Sequence, residues 1–294
     1  MAYYELKNDE ISIGIESCGA ELKSLKRSDN HREYMWCGDP QYWGRTSPIL
    51  FPFVGGLKDR KYLAKGNHYS MTQHGFARDM EFRLLSRTED EIWFEMDSNE
   101  ETMAKFPYAF ILKAGYRIEG SRVEVMWQVE NPGTEKLPFS IGGHPAFNCP
   151  LEEECSQEEC FVDFGNVGEV VSTRIGASGL ALDDTDTYRL TEGKLPLTDT
   201  LFDHDALVIE NRQTQEVSLC GKGGIRYLTV TMDAPLFGVW SPAGKKAPFV
   251  CIEPWYGRCD DENFQGALED RKWGNTVMPG EVWKASYTIC VRPD

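Results

Sequence analysis

Long apolar runs are missing from this sequence: no stretch approaches the roughly 20 consecutive apolar residues that a membrane-spanning helix needs. Cationic charge is short as well, with 31 Lys and Arg against 47 Asp and Glu in 294 residues, a formal net charge of −16. A surface this acidic repels phosphate backbones and anionic lipid, so neither nucleic acid nor a membrane surface is an expected partner. Histidines number only 5, so each can be weighed individually. The 9 cysteines, spread from Cys18 to Cys290, include no C-x-x-C pair, and their number is odd. That pattern suits free thiols in a reducing compartment better than a disulfide scaffold. The opening Met-Ala-Tyr-Tyr-Glu-Leu-Lys has no charged-then-apolar signal layout, and the expected location is cytoplasmic. No G-x-S-x-G elbow, Walker loop or zinc-type His and Cys spacing occurs, so the expectation is chemistry without a metal or other cofactor.

What the sequence does have is alternation. Ile11, Ile13 and Ile15 alternate with Ser12, Gly14 and Glu16; Val123, Val125, Trp127 and Val129 alternate with Glu124, Met126, Gln128 and Glu130. Trp283, Ala285, Tyr287, Ile289 and Val291 repeat the pattern near the end. A period of two places one face on a core and the other toward polar surroundings, the mark of a strand. Turn signals such as Glu119-Gly120-Ser121 and Asn131-Pro132-Gly133 separate the runs, and Gly221-Lys-Gly-Gly224 reads as a loop or hairpin turn. The best helical candidate is short, Ser98 to Phe106, with Ser98 and Glu101 at capping-box spacing and Pro107 beyond the stop. No fixed repeat or long linker divides the chain. The expected architecture is one all-β, antiparallel domain over residues 1–294 with few short helices.

Four segments place reactive side chains among Gly, Pro and aromatic residues: Phe51 to Arg60, Gln73 to Asp79, Ile141 to Asn148, and Val250 to Arg258. His74 precedes Gly75, and His144 lies between a Gly pair and Pro145, positions that hold an imidazole in one orientation. Such a histidine serves either as an acid or base or as a loop brace. His31 and His68 read as surface residues, and His204 is ambiguous. Glu253 ends the apolar run Phe249 to Ile252 and precedes Pro254 and Trp255. A carboxylate there is partly desolvated, which raises its pKa and basicity; the alternative is a buried ion pair with a neighbour such as Arg258. A carboxylate and an imidazole on opposite sides of a substrate can pass protons both ways near neutral pH.

Three of these segments, Gln73-His-Gly-Phe-Ala-Arg-Asp79, Gly142-Gly-His-Pro-Ala-Phe-Asn148 and Cys251-Ile-Glu-Pro-Trp255, in this order, resemble the aldose 1-epimerase (galactose mutarotase) family, most closely its LacX-like branch. The resemblance runs from Ile11 to Val291. It implies a large antiparallel β-sandwich with an open concave cleft, and an isomerase that interconverts the α- and β-anomers of an aldose. Carried onto this sequence, Glu253 is the base that takes the proton of the C1 hydroxyl, and His144 is the acid that protonates the ring oxygen. His74 binds the sugar near that oxygen. An Asp binds a sugar hydroxyl; Asp205, which precedes the strand-like Ala206 to Ile209, is preferred to Asp203. An Arg common after the first Gly of the Phe-Val-Gly segment is replaced by Gly56, and its sugar-binding role passes to Arg60. Arg78 binds a sugar hydroxyl or a phosphate. Trp240 and Trp255 stack on the sugar or pack in the core. The implied partner is a small sugar, for a monomer or a homodimer, with a hexose 6-phosphate substrate or a non-catalytic sugar-binding role as the alternatives.

Overall fold

The computed structural model describes residues 1–152 and 154–292. The alternating runs are strands: Ile11–Glu16, Arg122–Glu130 and Val282–Val291. The last two pair antiparallel from Arg122↔Cys290 to Glu130↔Val282. They form the middle of a nine-stranded sheet that runs from Lys194–Pro196 at one edge to Arg83–Arg87 at the other. A second sheet, of eight strands, carries in order Ala181–Arg189, Glu169–Ile175, Leu207–Glu210, Leu236–Trp240, Phe249–Tyr256, Ile141–Gly143 and Ile49–Leu50. Its eighth strand, Ala146–Asn148, also pairs with Phe249–Tyr256.

The main core lies between these sheets. Val123, Val125 and Trp127 of one meet Val239, Val250 and Ile252 of the other in a single buried cluster. Period-two geometry then decides what faces away. Leu207 and Ile209, Phe237 and Val239, and Val250 and Ile252 point into the main cluster. Their neighbours Val208, Leu236, Cys251 and Trp255 join two smaller clusters on the opposite face. Burying both faces of the central strands explains why Phe249–Tyr256 reads as an almost continuous apolar run, with Glu253 its exception. The second face of this sheet floors a cleft.

The single α-helix among the described residues is Glu100–Lys105. Its cap lies one residue beyond the expected Ser98: the Asn99 side chain accepts from Thr102 N–H, and Thr102 Oγ1 accepts from Asn99 N–H. Ser98 instead accepts from Phe110 N–H across the loop. The glycines at 221 and 224 close the turn between Glu216–Cys220 and Arg226–Met232, as their spacing suggests. All nine cysteines are free thiols, and no described helix is long and apolar enough to cross a membrane.

Candidate active site

Glu253 sits mid-strand, paired with Gly238 on one side, and strand alternation sends its carboxyl into a cleft of about 320 Å³. Gly238 is needed there because a side chain would collide with the Trp255 indole, 2.7 Å from its ideal Cβ position; Gly142 flanks the same ring at the same distance. With these positions empty, Trp255 lies flat against the sheet and forms part of the cleft. His144 follows the short strand Ile141–Gly143, where Pro145 redirects the chain and its carbonyl accepts from Ile252 N–H. This places His144 Nε2 3.2 Å from Glu253 Oε2.

The imidazole of His144 is held by rings. Trp43 stacks on it with centroids 4.6 Å apart and planes at 26°, while Trp240 and His74 meet it edge-on at 5.6 Å. His74 occupies a left-handed conformation, φ 68°, stabilised by two bonds to Gly55: its own N–H donates to Gly55 C=O, and Gly55 N–H donates to His74 Nδ1, both at 3.1 Å. With Nδ1 an acceptor, the proton of the neutral ring sits on Nε2.

Burial dominates the electrostatics. Glu253, 1% exposed, is held well above the ordinary carboxylate range by desolvation, reinforced by the nearby charge of Asp205. Burial lowers His144 to about 3, with Arg78 and Arg45 adding to the effect. It also takes His74 well below its usual value, followed by the influence of His144. Four buried side-chain polar atoms of this cleft make no hydrogen bond: Glu253 Oε2, His144 Nδ1, Arg78 Nε and Trp255 Nε1. The Glu253 to His144 contact is close enough for proton transfer but is not aligned as a hydrogen bond.

The cleft brings together most of the residues singled out from the sequence: Glu253, His144, His74, Arg78, Asp205, Trp240 and Trp255 all line it. Asp205, at φ 70° and exposed, faces the cleft, and Asp203 does not line it. Arg60 is a correction. It lines a separate hollow with Asp59, Met71, Gly75 and Phe76, whereas Gln73, His74 and Arg78 of the same loop line the cleft. The 73–79 loop thus stands between Arg60 and the cleft, and two left-handed residues, Asp59 and Arg60, turn the chain there into the strand Lys61–Ala64. The ion-pair alternative for Glu253 is closed, since Arg258 binds Glu210 at 2.5 Å and Asp261 at 2.7 Å. The acid and base, expected on opposite sides of the substrate, stand side by side.

Two residues of the site had not been singled out, Trp43 and Arg45. Arg45 pairs with Asp79 at 2.8 Å and faces Arg78. Their signal in the sequence is the Trp43-Gly-Arg45 triplet just before the apolar run from Pro48 to Phe53. A larger hollow of about 1030 Å³ lies elsewhere, rimmed by Glu152, Glu154, Glu158 and Asp199; it gathers no buried acid–base pair.

A family model described as aldose 1-epimerase matches residues 3–290 of the chain. Protein LacX of Lactococcus lactis subsp. lactis, in both its plasmid and chromosomal forms, is 32% identical over 296 residues, covering 98% of this chain and 98% of that protein. Among solved structures, a galactose mutarotase related enzyme from Lactobacillus acidophilus is 33% identical with a TM-score of 0.93, covering 99% of this chain and 98% of the other. A galactose mutarotase-like protein from Lactobacillus casei is 28% identical with a TM-score of 0.90, covering 99% and 100%.

Proposed function

The chain belongs to the aldose 1-epimerase family, and on that premise we propose that it interconverts the α- and β-anomers of a free aldose, with Glu253 and His144 moving the protons. The observation that carries this reading is the Glu253–His144 pair: an acid and a base 3.2 Å apart, buried, and surrounded by polar atoms without partners. Native structures rarely leave such atoms unpaired, and a polyhydroxylated ligand supplies what they lack. The indole of Trp255 and the Trp240 ring give the apolar faces of a sugar something to lie on.

The two oxygens of a hemiacetal that exchange protons are bonded to one carbon, so a side-by-side pair can reach both. Glu253 takes the proton of the C1 hydroxyl while His144 gives one to the ring oxygen. The ring opens, the C1–C2 bond rotates, and closure on the other face reverses both transfers. The pair therefore carries one shared proton throughout. Burial favours the neutral arrangement, Glu253 protonated and His144 neutral. A closed sugar meets the ion-pair arrangement, which its hydroxyls and the protonated Nε2 of His74 help to stabilise. Groups poised this way contribute about 10²–10⁴-fold by general acid–base catalysis.

A phosphorylated sugar is the second reading, favoured by Arg78 Nε, which is buried in the cleft without a hydrogen bond, its nearest counter-charge being Asp79 at 3.8 Å. Against it, Arg78 already donates to Gln73 C=O, Arg45 is taken by Asp79, and Arg60 lies outside the cleft. The test is NMR saturation transfer between the anomers of glucose, galactose and glucose 6-phosphate, with wild type and Glu253→Gln. Wild type accelerates exchange of the free sugars, and the folded Gln variant loses about 10²–10⁴-fold of that rate. Exchange confined to the phosphate selects the second reading; sugar binding with no exchange in any arm rejects catalysis.

A further inference from the structure

Cys251 shares its face of the Phe249–Tyr256 strand with Glu253 yet has no part in the proton chemistry. It is fully buried and pairs in the ladder with Ala146, two residues after His144. Strand alternation therefore sets its thiol beside the acid–base pair. Cys251 Sγ, an imidazole nitrogen of His144 and a carboxylate oxygen of Glu253 all lie within 4.8 Å of one another. Four-coordinate zinc, with bonds of about 2.0–2.3 Å, holds neighbouring donors roughly 3.3–3.6 Å apart. The 3.2 Å between His144 Nε2 and Glu253 Oε2 is already close to that spacing. The thiol needs to close by at most about 1.2–1.5 Å to share the same ion. Glu253 Oε2 is buried without a hydrogen bond, so coordination would not have to displace one. Thiolate, imidazole and carboxylate together suit borderline-soft d-block cations and suit Mg²⁺ or Ca²⁺ poorly.

We infer that His144, Cys251 and Glu253 form an inhibitory site for a borderline-soft divalent cation such as Zn²⁺ or Cd²⁺, with the remaining coordination position toward the cleft. The ion occupies the lone pairs that accept protons in the proposed reaction, so bound metal and anomer exchange exclude each other. Binding releases the thiol and carboxyl protons and therefore strengthens as pH rises. Only the word inhibitory rests on the acid–base reading of the pair; the binding itself does not.

The test is a Cd²⁺ titration of the full chain, followed by thiolate-to-Cd²⁺ charge transfer in the ultraviolet, for wild type and Cys251→Ala. The other cysteines contribute equally to both proteins and cancel in the difference. The wild-type-minus-variant difference is expected to show a band that saturates at one equivalent, with affinity at that step at least about tenfold weaker in the variant. Cd²⁺ over the same range stops exchange by wild type, EDTA restores it, and the variant keeps exchanging in the presence of the metal. Cys251→Ser, nearly isosteric, takes the place of the Ala variant if that fails to fold. Identical titrations for wild type and variant overturn the site, as does equal inhibition by Mg²⁺. A Cys251-dependent band in a protein that exchanges no anomers upholds the site and rejects the exchange reading alone.

Discussion

Glu253 and Arg258 stand close together along one stretch of chain and are almost equally buried, at 1% and 2% exposed, yet their surroundings are opposite in kind. Arg258 donates to Glu210, Asp261 and the Cys259 carbonyl. Beside it, Arg271 binds Asp260 at 2.6 Å and donates to the Arg258 carbonyl at 2.7 Å, and Asp260 also accepts from Lys58 N–H. The Phe53 ring covers the Arg271 guanidinium at 5.0 Å. Every charge in this network has a partner of opposite sign. Glu253 has instead a neutral imidazole at 3.2 Å, the Trp255 indole and no charge of opposite sign, and its Oε2 makes no hydrogen bond. The difference teaches that burial by itself says nothing about role. A buried charge with all its partners ties segments together, and one denied partners is held in a state from which it readily gives or takes a proton.

The largest effect should come from breaking the satisfied side. Arg271→Met leaves Asp260 buried without its counter-ion and orphans the Arg258 carbonyl, which should lower stability by about 3–5 kcal/mol in chemical denaturation. Molecules that remain folded should keep their cleft. Glu253→Gln should do the reverse, removing activity while raising stability in a pH-dependent way. Below the ordinary carboxylate range Glu253 is protonated in the folded and the unfolded chain alike, so wild type and variant melt together. As pH rises, the unfolded carboxyl ionises first, because the folded one is held well above that range. Wild type then loses stability until pH passes the folded value, while the Gln variant is untouched. Thermal melts of both proteins across the neutral range check this; a wild type that melts higher than the variant at every pH would mean that Glu253 is a satisfied structural charge after all.

How far the sequence alone revealed these two regions follows from what each depends on. Alternation in Val123 to Val129 and in Trp283 to Val291 depends only on period, and both runs are strands of one sheet. Glu253 was legible because a lone carboxylate interrupts an apolar strand. The Arg258 and Arg271 network was not, since Glu210 and Arg271 come from segments that meet Arg258, Asp260 and Asp261 only on folding. Arg60, given a sugar-binding role by the resemblance, lies on the far side of the 73–79 loop, a placement that the sequence around it does not reveal. The helix cap moved from Ser98 to Asn99 because either side chain can cap, and tertiary contact with Phe110 engages Ser98. Trp43 left only the short Trp43-Gly-Arg45 triplet, because its ring partners His144, Trp240 and Phe249 all lie far along the chain.

Trp43 yields a smaller effect that sharpens the contrast. The His144 imidazole has no hydrogen bond at Nδ1 and owes its orientation to ring contacts. A stacked aromatic pair contributes about 0.5–1.5 kcal/mol beyond simple burial, so Trp43→Ala should lower kcat by about 2- to 10-fold, and Trp43→Phe should recover most of that. Saturation-transfer rates at saturating sugar measure it; a rise in KM with kcat unchanged would make Trp43 a platform for the sugar and not a support for the histidine. The smallest effect belongs to Arg60. It is an exposed cation in a hollow on the far side of the 73–79 loop, whereas Arg78 is half-buried in the cleft with Nε making no hydrogen bond. Arg60→Ala should leave both kcat and KM for a free aldose unchanged, and Arg78→Ala should raise KM. If Arg60→Ala instead weakens substrate, the 73–79 loop must reposition when sugar binds, and the line between solvated and cleft-facing cations would have to be redrawn.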